Sequence, residues 1–207
     1  MTVQRWAWLA ALLLLAGCAT TRPPPDPEKQ KAAEREWAQR RMELLQVKHF
    51  LMSSRLAYGK VLGVKADLRW QQNADGSFDM RISGPFGVGA ATLTGDARRV
   101  LVRTRDGDYD TPDPEQWLSE NMGWTLPISG LRYWALGLPS PQSEAAIELN
   151  IKGEVTMMDQ DGWHLEYSEY QTVGDYDLPR KFEASNTANK LKVVVDTWSD
   201  LPTLRRK

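Results

Sequence analysis

The sequence predicts a mainly β domain of the α+β class: an antiparallel sheet preceded by one helix and interrupted by two short apolar ones. Three observations carry this. Val64, Ala66, Leu68 and Trp70 alternate with Lys65, Asp67, Arg69 and Gln71, the period of a half-buried strand. Short turn-forming stretches such as Asn73-Ala74-Asp75-Gly76 and Gln160-Asp161-Gly162 separate segments of the same period, as in a meander. Between residues 111 and 137 the pattern changes to two short, apolar, helix-like segments.

The chain opens with Arg5 and then an uncharged apolar run, Trp6 to Ala16, that ends in Leu15-Ala16-Gly17-Cys18. A basic start, a short apolar core and small residues before the cut make a secretory leader over residues 1–17. The run is shorter than the roughly 20 residues needed to span a bilayer. Leu-Ala-Gly-Cys closely resembles the bacterial lipobox, whose cysteine receives a diacylglyceryl group and becomes the mature N-terminus. Cys18 is the single cysteine of the chain, so no disulfide competes for it. Two acyl chains suffice for stable anchoring at about 0.8 kcal/mol per buried methylene. Ala19 stands where lipoproteins retained at the inner membrane carry Asp, which by that resemblance points to the outer membrane.

Residues 18–27 read as a tether, since Pro23-Pro24-Pro25 favours an extended polyproline conformation. From Glu28 to Phe50 good helix formers run without Gly or Pro, which predicts a helix with only an approximate apolar stripe through Trp37, Met42, Leu44, Leu45 and Val47. Strands follow at Val64–Gln71 and Phe78–Ser83, then at Val88–Thr94 and Val100–Thr104. Thr111-Pro112-Asp113-Pro114-Glu115 is a helix start, and that helix carries Trp117, Leu118 and Met122 to a stop at Gly123. A second short helix runs from Pro127 to Leu136 and ends at Gly137. Both helices are apolar enough to plug or cover the concave side of the sheet, or simply to finish its core. Strands resume at Gly153–Asp159, Trp163–Tyr170, Pro179–Ala184 and Leu191–Trp198, and residues 199–207 form a loose basic tail.

Composition narrows function. With 26 basic and 27 acidic residues and no long cationic run, nucleic acid is not an expected partner. Nine tryptophans, seven of them beyond the leader, indicate a large core, an apolar cavity or a membrane contact. His49 and His164 lack metal-ligand spacing, and no Gly-x-Ser-x-Gly, phosphate loop or HExxH motif appears. Asp106, Asp108, Asp110 and Asp113 alternate loosely like a calcium loop but lack its glycine and terminal glutamate, and read as a solvated turn. No enzymatic activity, cofactor or metal is called for. One loop departs from the usual polar composition: Ser83-Gly84-Pro85-Phe86-Gly87 puts a phenylalanine at the tip of a Gly/Pro turn, where it could enter lipid.

The lipobox, Leu68-Arg69-Trp70-Gln71-Gln72, Gly84-Pro85-Phe86-Gly87, Leu131-Arg132-Tyr133-Trp134-Ala135-Leu136-Gly137-Leu138-Pro139, Gln160-Asp161-Gly162-Trp163, Tyr167-Ser168-Glu169-Tyr170 and Leu178-Pro179 follow one another in an order that resembles the LolB family of outer-membrane lipoprotein receptors. The resemblance covers nearly the whole mature chain. It implies an unclosed antiparallel β-barrel over residues 28–198, with a helical lid enclosing an apolar cavity. It also implies a protein on the inner leaflet of the outer membrane, facing the periplasm, that takes acylated lipoprotein cargo from a LolA-type carrier without ATP and releases it into outer-membrane lipids. A monomer is expected. In that family the loop matching Pro85, Phe86 and Gly87 protrudes and its apolar tip places cargo in the membrane; leucine is common at the tip, and Phe86 keeps the bulk. Leu68, Trp70, Met80, Ile82, Trp117, Leu131, Trp134, Val193 and Val195 are the expected cavity-lining residues. Two rivals remain: a scaffolding lipoprotein that binds a protein partner through its concave surface, and a lipid hydrolase built around one of the histidines.

Overall fold

The computed structural model describes residues 26–60, 63–84, 90–96, 98–122 and 128–204. The leader, Cys18, most of the tether, the Pro85-Phe86-Gly87 tip and the last three residues lie outside the described residues.

Helix α1, Pro27–Leu44, begins with proline in its first turn, and the Asp26 carboxylate accepts a hydrogen bond from the Glu28 amide at 3.1 Å. It ends six residues earlier than its composition predicts. Val47 and Phe50 are buried, and drawing them into the core turns the chain before another helical turn can form.

Eleven strands then build one sheet: β1 Phe50–Tyr58, β2 Val64–Gln72, β3 Phe78–Ser83, β4 Ala91–Gly95, β5 Val100–Thr104, β6 Gly107–Thr111, β7 Ala146–Leu149, β8 Val155–Gln160, β9 Trp163–Val173, β10 Tyr176–Ser185 and β11 Lys190–Ser199. Their order is β6-β5-β4-β3-β2-β1-β11-β10-β9-β8-β7, and neighbouring strands pair antiparallel. Two meanders therefore meet where β1 pairs with β11. Strands β6 and β7 stay at opposite edges, so the barrel is unclosed.

Helices α2, Pro114–Met122, and α3, Ile128–Trp134, connect the meanders. The Asp113 carboxylate accepts from the Gln116 amide at 2.9 Å and starts α2. At the end of α3, Gly137 takes φ +73°, and the amides of Gly137 and Leu138 donate to Trp134 and Tyr133, a terminus that favours glycine. The inward faces of β1 to β5 and β8 to β11 share one apolar core with these helices; at its centre the Phe50 ring meets Trp70 and Trp198 edge-on, each at 5.2 Å between centroids.

Several expectations need correction. β1 was not anticipated as a strand, because Ser53-Ser54-Arg55 interrupts its apolar alternation; its burial nevertheless alternates and it pairs on both sides. The acidic stretch is only partly a turn. Asp108 and Asp110 sit on edge strand β6 and face Arg103 of β5 and Arg99 just before it, at 3.2 and 2.5 Å. The C-terminal segment is not loose through residue 204: Leu201 and Leu204 pack against the core, and the Leu204 amide donates to Asp175 at 3.4 Å.

Candidate functional site

Antiparallel register places the inward side chains of β1, β2 and β3 in rows. Met52 lies opposite Trp70, which lies opposite Met80; Leu68 lies opposite Ile82. From the other meander Phe182, Leu191 and Val193 reach the same region, and Leu118, Ile128, Leu131 and Ala135 cover it from the two helices. The result is a cleft lined by Met52, Leu56, Leu68, Trp70, Met80, Ile82, Leu93, Leu118, Ile128, Leu131, Ala135, Phe182, Leu191 and Val193. Among the described lining residues the only nitrogen- or oxygen-bearing side chain is that of Trp70. The free space within is about 30 Å³, room for about two water molecules.

Six of the nine expected cavity residues meet here: Leu68, Trp70, Met80, Ile82, Leu131 and Val193. Three do not. Trp117 stacks on Tyr109 at 5.0 Å on the β6 side, because α2 turns its neighbour Leu118 inward instead. Val195 is buried opposite Ser54, next to the cleft but not in its lining. Trp134 is fully buried in a polar clasp. Its indole N–H donates to the Gln160 carbonyl oxygen at 2.8 Å, and its main-chain oxygen accepts from the Tyr167 hydroxyl at 2.9 Å. Sequence reasoning missed Met52 and Leu56 with the strand that carries them. The signal was partial: Phe50, Met52, Leu56 and Tyr58 recur at alternate positions, with Ser54 the one break.

The Gln160 amide is saturated. Its oxygen also accepts from the Ser140 amide at 2.9 Å, and its nitrogen donates to the main-chain oxygens of Ser140 at 2.8 Å and Ser143 at 3.0 Å. One side chain thus fastens the end of α3 and the following loop to β8. Nearby, burial holds the Tyr167 hydroxyl well above its ordinary range, with Tyr170 adding to the shift. Burial likewise raises Tyr170, whose hydroxyl donates to the Val155 main-chain oxygen at 2.8 Å. Both phenols stay neutral hydrogen-bond donors.

The hydrolase rival required a nucleophile beside a histidine. His164 Nδ1 lies 2.7 Å from Asp159, and Nε2 lies 3.4 Å from Glu166, so carboxylates engage both ring nitrogens. The Ser185 hydroxyl bonds the His164 main-chain oxygen at 3.5 Å, not the ring. Their Asp159 hydrogen bond, opposed by partial desolvation and aided by the Asp159 and Glu166 charges, raises the imidazole above its ordinary 6.5. This is an ion-paired histidine on the sheet rim, not a base poised over a hydroxyl. Among the described residues no three His, Cys, Asp or Glu side chains are placed to hold a metal.

An open antiparallel half-barrel with an apolar, helix-covered cleft defines the class of this protein. The family described as "Outer membrane lipoprotein LolB" matches residues 48–198. The outer-membrane lipoprotein LolB of Chromohalobacter salexigens is 30% identical over 194 residues, covering 93% of this chain and 89% of that protein. Its counterpart in Pseudomonas aeruginosa is 33% identical over 206 residues, covering 96% and 97%. A solved DUF1329 family protein from Desulfovibrio piger superposes with a TM-score of 0.53 at 9% identity, over 86% of this chain and 94% of that one, and shares the fold. The chain belongs to the LolB family. It is accordingly an outer-membrane lipoprotein, lipid-anchored and facing the periplasm, of a family that serves lipoprotein transport and not catalysis.

Proposed function

We propose that this protein receives acylated lipoproteins from a LolA-type periplasmic carrier into the cleft beneath α2 and α3, and inserts them into the inner leaflet of the outer membrane without ATP. The observation that carries this reading is the uniformly apolar cleft, covered by two short helices. In water each exposed methylene of an acyl chain costs about 0.8 kcal/mol, so two or three chains cost tens of kcal/mol. Passing them from one apolar cleft to another avoids most of that cost, and direction follows if this cleft holds them better than the carrier and the membrane better still.

The free space is too small for an acyl chain, so entry displaces the cover. The Gln160 clasp fixes the C-terminal end of α3, whereas Leu118, Ile128 and Leu131 meet the cleft through apolar contacts alone. On this reading α3 pivots at Trp134 and the α2 side lifts. Cys18 carries the protein's own lipid, and the Phe86 tip, flanked by Pro85 and Gly87, enters the bilayer to release cargo. The protein acts as a monomer.

The test is transfer of a radiolabelled lipoprotein from purified LolA-type carrier to the mature chain carrying Cys18→Ala, without ATP. Transfer supports the receptor reading, and Phe86→Glu should then accept cargo normally yet fail to deliver it to vesicles; normal delivery would remove the loop from the mechanism. The nearly filled cleft favours one alternative, a scaffolding outer-membrane lipoprotein that binds a protein partner through its concave surface. No transfer from a loaded carrier to folded protein would bring that reading forward.

A further inference from the structure

Among the described residues six buried side-chain nitrogen or oxygen atoms lack a hydrogen-bond partner. Arg40, Ser143, Gln171 and Tyr176 hold four of them, on α1, on the loop after α3 and on β9 and β10. The other two are Ser54 Oγ and Trp70 Nε1, on adjacent strands β1 and β2, and of these Trp70 lines the cleft. Ser54 is 3% exposed and Trp70 2%. Trp70 lines the cleft directly; Ser54 sits between the cleft-lining Met52 and Leu56 and opposite Leu68.

Their placement is not the general condition of polar groups on these strands. Gln72, on the same face of β2, donates to the Ser77 main-chain oxygen at 3.0 Å. Trp70 and Ser54 are diagonal neighbours, since Trp70 pairs with Met52, two residues before Ser54. A buried donor without an acceptor is costly, and phenylalanine and alanine would fill these positions without that cost.

We propose that the Trp70 indole N–H, assisted by the Ser54 hydroxyl on the adjacent strand, forms a carbonyl-recognition site for the ester groups that join the acyl chains of the cargo to glycerol. This rests on the receptor reading of the cleft and adds to it the chemistry by which the lipid is placed. A cleft of hydrocarbon walls alone would let an acyl chain slide along its length. A neutral donor in the cleft wall, with a second on the adjacent strand, fixes the depth at which the ester linkage comes to rest. The donor set also selects the ligand class. Among the described residues no cationic side chain lines the cleft, so a phosphate would enter unpaired and at high cost, whereas a neutral carbonyl meets the donors' requirement. The diacylglyceryl group on a cargo cysteine carries two such esters on adjacent glycerol carbons and no charge.

The test compares two ligands, a dipalmitoylglyceryl-cysteinyl peptide and its dihexadecyl ether analogue, which has the same chains without carbonyls. Each displaces a fluorescent acyl probe from the full mature chain carrying Cys18→Ala. The ester should bind about five- to tenfold more tightly than the ether, and Trp70→Phe should remove that preference, weakening ester binding about five- to tenfold more than ether binding. Ser54→Ala should reduce the preference, and as the smaller change it serves if Trp70→Phe proves to be unfolded by thermal melting. Equal binding of both ligands by the unsubstituted chain, or a preference that survives both substitutions, would overturn the carbonyl site while leaving the receptor reading intact. Failure of both ligands to displace the probe, together with no transfer from the carrier, would overturn both.

Discussion

Replacing Gln160 with methionine probes the clasp that holds α3. The change nearly conserves volume but removes all four hydrogen bonds of a side chain that is 3% exposed. It leaves the Trp134 indole N–H and the Ser140 amide without an acceptor, each at about 1–3 kcal/mol, and deprives two main-chain oxygens of their donor. The gain from burying a less polar side chain offsets only part of this. The expected net loss is about 3–5 kcal/mol from a total that for ordinary domains is about 5–15 kcal/mol. Urea unfolding followed by circular dichroism measures it directly, and the melting temperature should fall by about 6–20 °C. A double-mutant cycle isolates the central bond: Trp134→Phe should cost about 1–2 kcal/mol less in the Gln160→Met background than alone. A loss below about 1 kcal/mol for Gln160→Met, with no coupling to Trp134, would refute the clasp and with it the pivot assigned to α3.

Other perturbations reach different parts of the fold. Leu131→Glu places a carboxylate at a half-buried position of the cleft, and acyl-probe affinity should fall at least about tenfold with the fold retained; unchanged affinity would move ligand binding elsewhere. Gly153 adopts φ +67°, and a Cβ there would lie 2.5 Å from the Trp37 amide nitrogen and 2.7 Å from Glu36 Cβ, so Gly153→Ala should cost about 2–4 kcal/mol and raise hydrogen exchange along α1. His164 is raised above 6.5, chiefly by its hydrogen bond to Asp159, so its stabilisation is full below pH 6.5 and disappears as pH rises through the raised value. The stability difference between the unsubstituted chain and His164→Gln should therefore shrink from pH 6 to pH 8; a difference that grows over that interval would reverse the assignment.

Much of the sheet was legible because one face of each long strand is buried. The alternation at Val64, Ala66, Leu68 and Trp70 marks β2 within one residue, and Val100–Thr104 coincides with β5. The strands that escaped notice have physical reasons to do so. β6 carries Asp108 and Asp110 because an exposed edge tolerates charge, and β7 has only four residues. For the site, residues on strands with clean alternation were placed well, but a short helix is less forgiving. On α2 an inward face assigned to Trp117 belongs to Leu118, one residue and about 100° away. The Trp134 clasp depends on Gln160, 26 residues distant and on a strand of the other meander, a proximity that local periodicity does not encode. The unpartnered state of Trp70 and Ser54 is likewise a property of the assembled face.

On the function proposed above, the two-sided construction of the cover bears on how transfer can proceed without nucleotide energy. Lifting the α2 side exposes Leu118, Ile128 and Leu131, at about 1.5–3 kcal/mol for each side chain that becomes fully exposed, or roughly 5–9 kcal/mol together. That cost keeps an empty cleft closed to water and to casual ligands. One sixteen-carbon chain sheltered from water recovers about 12 kcal/mol at 0.8 per methylene, more than the opening costs. Transfer from a carrier recovers less, because the chain is already sheltered there, so the balance must be met by contacts that form in step with the opening. Donors already desolvated in the empty cleft suit that purpose: they have borne the loss of water before the ligand arrives, and an ester carbonyl at Trp70 relieves it. The same feature helps release, since in the membrane the ester finds interfacial water while the cover closes again over its own leucines.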